Sequence, residues 1–280
     1  MKFGANTLIW TAHFDRPHLD LIPQIAAHGF DYVEVARFNW DDFPAADIRK
    51  AAEASGIGVQ GCTAMPGLSL IHDDPAQRAK AIDYLKQAAQ CCADCGATVL
   101  AGPLYSPVGA HFGRRRTGEE WKREIDSLHA LAPTLEATGV TLAIEPLNRF
   151  ETFFLNTNAD AARLCREVNH PNVGILFDTF HANVEEKSQA SAIRDAGKHI
   201  AHVHTCENDR GIPGTGHVEW PAVFAALKEV GYDGCCSIES FGFHIPELIA
   251  PACIWRDFAP TPESIAWEGL PFLKKTLAAA

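Results

Sequence analysis

One phrase recurs along the chain. An amphipathic helical stretch ends at a glycine, and a few residues later a short apolar run begins. Gly29 precedes YVEVA, Gly56 precedes GVQGCTA, Gly96 precedes TVLAGPL, Gly139 precedes VTLAIE and Gly231 precedes GCCSIE. Glycine just past a helix end takes the left-handed conformation without a Cβ penalty. With KFGANTLIW at the start, and VGILFD and IAHVH later, the pattern predicts eight strands. Helices are predicted between them: Asp74 to Asp94, with Ile82, Leu85, Ala89 and Cys92 on one face, Thr117 to Thr138, and Trp220 to Glu229. Strict alternation of strand and helix implies a parallel sheet. Eight such units imply closure into an α/β fold of the (β/α)8 barrel type. Such a barrel takes about 250 residues as one domain. The 280 residues contain no dividing linker, so residues 1–280 are expected to form a single domain.

Four of these strands end on a side chain that ligates metals: Glu145 after TLAI, Asp178 in VGILFD, His204 in IAHVH and Glu239 after CCSI. Each interval, 145 to 178, 178 to 204 and 204 to 239, is about one strand plus one helix. The ends of successive barrel strands meet on one rim, where active sites are built. A charged residue at a strand end often only caps a barrel layer. Four in succession, all of ligand type, point instead to a divalent-metal site. Three carboxylates and one imidazole suit Mg²⁺ or Mn²⁺, and the imidazole tilts the choice toward Mn²⁺ or Co²⁺. Glu145 and Glu239 are also two groups that can move protons beside the ion. His202 lies two residues before His204 and therefore on the same face of its strand. It is expected one layer deeper, in the barrel interior and not on the metal.

Charge and composition exclude several classes. The net charge of −11 supplies no counterion-release term for DNA or RNA. No apolar run approaches the roughly 20 residues of a membrane span. MKFGANTLIW lacks the basic segment, apolar stretch and cleavage site of a signal peptide, and the reading is cytoplasmic. Nine cysteines, an odd number, argue against a disulfide framework. Cys92 and Cys95 form a CxxC on a helical pattern, with no second pair and no strand before it. Buried core thiols are expected there.

The rim loops carry further polar groups. Asn148-Arg149-Phe-Glu151 follows Glu145, His181 follows Asp178, Glu207 and Arg210 follow His204, and Phe241 follows Glu239. Glu151, His181 and Arg210 are therefore assigned to rim loops, where a polyhydroxylated substrate needs donors and acceptors of fixed geometry. Two longer segments, Leu104 to Arg116 and Ser240 to Pro260, are candidate walls or lids. The triplet Arg114-Arg115-Arg116 has no glycine-rich phosphate cradle, so a solvated loop or subunit contact is expected.

The phrases EPLNRFET, NVGILFDTFHANVEE, HVHTCENDRGIPGTGHVEW and GYDGCCSIESF resemble the ketose 3-epimerases. These are the D-tagatose/D-psicose 3-epimerase group of the xylose isomerase-like sugar phosphate isomerase/epimerase TIM barrels. The phrases cover most of residues 140–241. The resemblance implies that Glu145, Asp178, His204 and Glu239 are metal ligands, and that Glu145 and Glu239 are the acid/base pair. Glu151, His181 and Arg210 match residues that hold the C1–C3 end of the sugar. Trp10, Phe14 and Phe241 match aromatic walls around its far end. Asn6 stands where several family members carry an aromatic residue, and LAGPLYSPVG after strand four also departs from the family pattern.

The implied reaction is metal-dependent epimerisation at C3 of a free ketose, of the D-psicose/D-fructose, D-tagatose or L-ribulose type, through an enediolate. Mn²⁺ is the expected ion, with Mg²⁺ or Co²⁺ as alternatives, and a homodimer or homotetramer is the implied assembly. Trp255 and Phe258 are candidates for a subunit contact or a lid. An aldose–ketose or hydroxypyruvate isomerase and a keto-inositol dehydratase remain open on the same ligands. Endonuclease IV-like enzymes need more ligands and a surface for DNA. A non-catalytic sugar-binding module is expected to have lost a ligand, and none is missing here.

Overall fold

Eight short parallel strands close on one another in chain order in the computed structural model, which describes residues 1–280. They are β1 (Lys2–Asn6), β2 (Tyr32–Ala36), β3 (Gly58–Cys62), β4 (Val99–Gly102), β5 (Thr141–Ile144), β6 (Val173–Asp178), β7 (Ile200–His204) and β8 (Cys235–Ile238). β1 pairs with β8 through Lys2↔Cys235 to Ala5↔Ile238, which leaves no sheet edge. The predicted barrel is the observed one.

Around it lie α1 (Leu21–Ala27), α2 (Ala45–Ser55), α3 (Pro75–Cys95), α4 (Gly118–Thr138), α5 (Asn158–Val168), α6 (Thr179–Glu185), α7 (Gln189–Ala196), α8 (Trp220–Glu229), α9 (Pro246–Ile249) and α10 (Pro262–Ala279). Local chemistry sets several boundaries. Asp74 caps α3 by accepting from the Ala76 N–H at 2.8 Å. Thr117 and Glu120 form a reciprocal capping box at α4. Gly96 and Gly139 end these two helices in the left-handed conformation, with φ of 88° and 70°. Leu85, Ala89 and Cys92 of α3 are buried against the barrel, and Ile82 is half-buried. Cys92 and Cys95 are buried free thiols. No helix is long and apolar enough to cross a membrane.

Two loop expectations change. Arg114 makes two hydrogen bonds to Glu120, at 2.8 and 3.0 Å. Arg116 pairs with Asp160 at 2.8 Å and lies over the Trp121 ring. Two of the three arginines thus fasten the loop after β4 to α4 and α5. His181 sits in the first turn of α6, not on a loop. The helix starts there because Asp178 caps it, accepting from the Phe180 N–H at 2.6 Å.

One irregularity positions the rim. Ile175 pairs with Ile200 but Leu176 with His202, so β7 carries one extra residue at Ala201. Beyond this bulge Asp178 stands opposite His204, and His204 opposite Ser237.

Candidate active site and metal centre

Glu145, Asp178, His204 and Glu239 converge as expected. One ligand atom from each lies within 4.8 Å of the others, and all four residues are buried. His204 Nδ1 is 3.4 Å from Glu239 Oε2, 3.9 Å from Asp178 Oδ2 and 4.0 Å from Glu145 Oε1. His204 Nδ1 and Glu145 Oε1 have no hydrogen-bond partner. Buried polar atoms are rarely left so. Two orphaned electron-pair donors facing each other in a nest of carboxylates fit a divalent cation.

The electrostatics lead to the same conclusion. Burial and the Glu239 and Asp178 charges push the Glu145 carboxyl well above the usual range. Burial also pushes Asp178 and Glu239 up, but in both cases cations outweigh it. Arg210, His181 and His204 hold Asp178 at about 2. His204 and Arg210 hold Glu239 below its ordinary value. Burial opposes a charge on His204, yet Glu239 and Glu34 raise it well above the ordinary imidazole value. Protons and Arg210 thus carry positive charge that a divalent ion supplies more effectively.

Arg210 Nη1 donates to Asp178 Oδ2 at 3.0 Å and to Glu239 Oε2 at 2.7 Å. Its guanidinium lies 4.0 Å from the Phe180 ring centroid and 5.2 Å from that of Phe241. Its backbone is left-handed, at φ 64°, which is uncommon for a residue with a side chain. The surroundings hold that conformation. The Arg210 N–H donates to Glu207 O at 3.0 Å, and Ser240 Oγ donates to Arg210 O at 2.7 Å. Glu207 itself is wholly buried and accepts from Gly214 N, Val218 N and Trp220 Nε1 at 2.8 to 3.0 Å. It ties down the loop that presents Arg210.

His181 Nδ1 accepts from the Asn148 N–H at 3.1 Å, which puts the ring proton on Nε2, so the 3.2 Å approach of Arg210 Nη2 to Nε2 is a packing contact and not a hydrogen bond. Nε2 is 3.5 Å from Glu145 Oε1. Glu151 is positioned by Asn148 Nδ2, which donates to its Oε1 at 2.8 Å.

A cavity of about 390 Å³ opens above the cluster. Glu145, Glu239, Glu151, His181 and Arg210 line its polar end, while Phe38, Val108, Phe180, Phe241 and Leu248 contribute apolar walls. Phe241 therefore lies where expected. Trp10 and Phe14 do not line the cavity. Thr7–Ile9 form a tight turn after β1, and Trp10 beyond it packs against Trp267 of α10 at 5.2 Å. Phe14 is fully buried, with its carbonyl accepting from Arg37 Nη1 at 2.6 Å. Trp255 is exposed, and Phe258 packs against Phe243.

The sequence reading missed Glu34. This residue of β2 is wholly buried beneath the cluster. Its Oε1 accepts from His204 Nε2 at 2.8 Å and from Asn6 Nδ2 at 2.7 Å. Its Oε2 contacts His202 Nε2 and accepts from Ser237 Oγ. The two histidines outweigh burial and keep the carboxyl well below the usual range. By holding the proton on His204 Nε2, Glu34 leaves Nδ1 as the atom that faces the cluster. Asn6 and His202 belong to this network, which gives Asn6 a role unlike that of an aromatic wall. A charged residue inside the apolar run YVEVA was the available signal. Glu34→Gln keeps the shape and removes the charge. It should weaken divalent-metal binding by about 10–100-fold, as measured by calorimetric titration. Unchanged affinity would show that Glu34 does not support the ion.

A family model described as a xylose isomerase-like TIM barrel matches residues 22–276. A probable ketose 3-epimerase of Synechocystis sp. is 37% identical over 277 residues, covering 99% of this chain and 96% of its own. A D-psicose 3-epimerase of Ruminiclostridium cellulolyticum is 31% identical over 269 residues, covering 92% and 90%. The solved D-psicose 3-epimerase with D-tagatose from Clostridium cellulolyticum H10 superposes with a TM-score of 0.91 at 28% identity, covering 99% of each chain.

Proposed function

The chain belongs to the xylose isomerase-like TIM barrel family, and from that premise we propose that it is an isomerase that epimerises free ketoses at C3. Relatives named as ketose, D-psicose and L-ribulose 3-epimerases, each aligned over nearly all of this chain, support the reaction class. The observation that carries the reading is the buried Glu145–Asp178–His204–Glu239 cluster, with both glutamates exposed to one cavity.

Glu145, Asp178, His204 and Glu239 would hold one divalent ion, and three carboxylates with one imidazole favour Mn²⁺. When bound, the ion supplies Lewis acidity that stabilises negative charge developing on the sugar's O2. One of Glu145 and Glu239 takes the C3 proton, leaving an enediolate, and the other returns a proton to the opposite face. The two roles exchange in the reverse direction. His181, with its proton on Nε2, donates to a sugar oxygen, and Glu151 accepts from a hydroxyl. Arg210 keeps Asp178 and Glu239 charged and adds fixed positive potential where the enediolate forms. Phe241 packs against the far end of the sugar.

The absence of a glycine-rich cradle and of any cavity lysine favours free sugars over sugar phosphates. We also read the protein as cytoplasmic, since its nine cysteines are all free thiols. A homodimer or homotetramer is the proposed assembly, supported by the exposed Phe112, Phe150 and Trp255. The test is product analysis of the Mn²⁺-loaded protein with D-psicose, D-fructose, D-tagatose and L-ribulose. The expected product is the C3 epimer of at least one. An aldose product would instead mark an aldose–ketose isomerase.

A further inference from the structure

Cys62 ends β3 directly beside the cluster. It is 5% exposed, and it lines the cavity. Its Sγ, a ring nitrogen of His204 and a Glu239 carboxylate oxygen lie within 4.8 Å of one another. Strand alternation aims it there. The preceding residue, Gly61, faces outward, where a Cβ would meet Cys92 Sγ of α3 at 2.4 Å.

The three atoms form a sulfur, nitrogen and oxygen set. Zinc bonds to such atoms are about 2.0–2.3 Å long, which brings neighbouring ligands to about 3.3–3.8 Å of one another. The three atoms, within 4.8 Å of one another, must draw together around such an ion. Thiolate sulfur selects soft and borderline ions, whereas Mn²⁺ and Mg²⁺ prefer oxygen. Cys206 is the other nearby thiol. Its Sγ donates to Glu239 O at 3.1 Å and accepts from Arg210 Nη1 at 2.9 Å, so it is already committed.

We propose that Cys62, His204 and Glu239 form a thiophilic metal site overlapping the catalytic one, which takes Zn²⁺ or Cd²⁺ in a form that excludes the sugar. This rests on the reading of the carboxylate–histidine cluster as the catalytic metal centre. A hard ion is held by the three carboxylates and His204, and Cys62 stays a thiol. A soft ion also recruits Cys62, whose proton leaves to solvent. Because Cys62 lines the cavity, that ion is drawn toward the space the sugar must enter. The same centre is thereby active with Mn²⁺ and inhibited by thiophilic ions.

The experiment titrates Cd²⁺ into the metal-free protein and follows the sulfur-to-cadmium charge-transfer absorption in the ultraviolet. Wild type, C62A, C62S and C206A are compared, and Mn²⁺ affinity is measured for each by electron paramagnetic resonance. One equivalent of band is expected in wild type and C206A beyond that seen in C62A and C62S. Cd²⁺ affinity should fall at least about tenfold in C62A and C62S while Mn²⁺ affinity holds. Competition between Cd²⁺ and ketose should also weaken in both Cys62 variants. An undiminished band in C62A, no band in wild type, or an equal loss of Cd²⁺ and Mn²⁺ affinity would overturn the proposal. The two readings fail separately. A Mn²⁺-loaded enzyme that epimerises ketoses but gives no Cys62 band refutes only the thiophilic site. A Cys62 band without any ketose turnover refutes only the epimerase.

Discussion

Glu145→Gln and Glu239→Gln each lower ketose epimerisation by at least about 10²–10⁴-fold at saturating Mn²⁺, the usual contribution of positioned proton transfer. Glutamine keeps the length of glutamate and an oxygen that can still face the ion, but it cannot accept or return the C3 proton. At position 239 the amide oxygen can also keep accepting from Arg210, as Oε2 does at 2.7 Å in the parent. Each single variant should stop inversion in both directions, because one proton must leave and another must arrive. A finer signature follows from two bases on two faces. The variant that retains one glutamate should still exchange the C3 proton of the epimer facing it with solvent, without inverting it. Metal content measured alongside separates loss of the ion from loss of the base. Near-full turnover by either variant with metal bound would remove that glutamate from proton transfer.

Removing the metal is expected to abolish turnover and to lower the melting temperature. Without the ion, His204 Nδ1 and Glu145 Oε1 stay buried and unpartnered. A ligand present at about 100 times its Kd stabilises the native state by about 2.7 kcal/mol. In a domain of this size, about 2–4 °C accompanies each kcal/mol, so chelation should cost about 5–10 °C. Calorimetry with a chelator, then with Mn²⁺ restored, checks both the shift and its reversal. A chelated, metal-free protein with unchanged melting and full activity would contradict the proposed centre.

The barrel was legible because its signals are local and repeated: helix-ending glycines and apolar runs ending on charged residues. The four candidate ligands were legible for the same reason, since each closes or directly follows a strand. Glu34 was not, because its meaning depends on β2 facing His204 across the barrel, and nothing near position 34 announces that pairing. The bulge at Ala201 is equally silent in the sequence, although it sets Asp178 opposite His204. Trp10 and Phe14 were misplaced through their position after β1. The tight turn at Thr7–Ile9 directs Trp10 to α10, and Arg37 holds the backbone of Phe14. Arg114 and Arg116 look like a free basic run only until their partners on α4 and α5 are known.

The most direct measurement is proton NMR of the Mn²⁺-loaded enzyme with a ketose in D₂O. Deuterium is expected at C3 of the sugar, accumulating together with the C3 epimer. Deuterium at C1 or C2 with an aldose product, or no exchange with any ketose, would contradict C3 epimerisation.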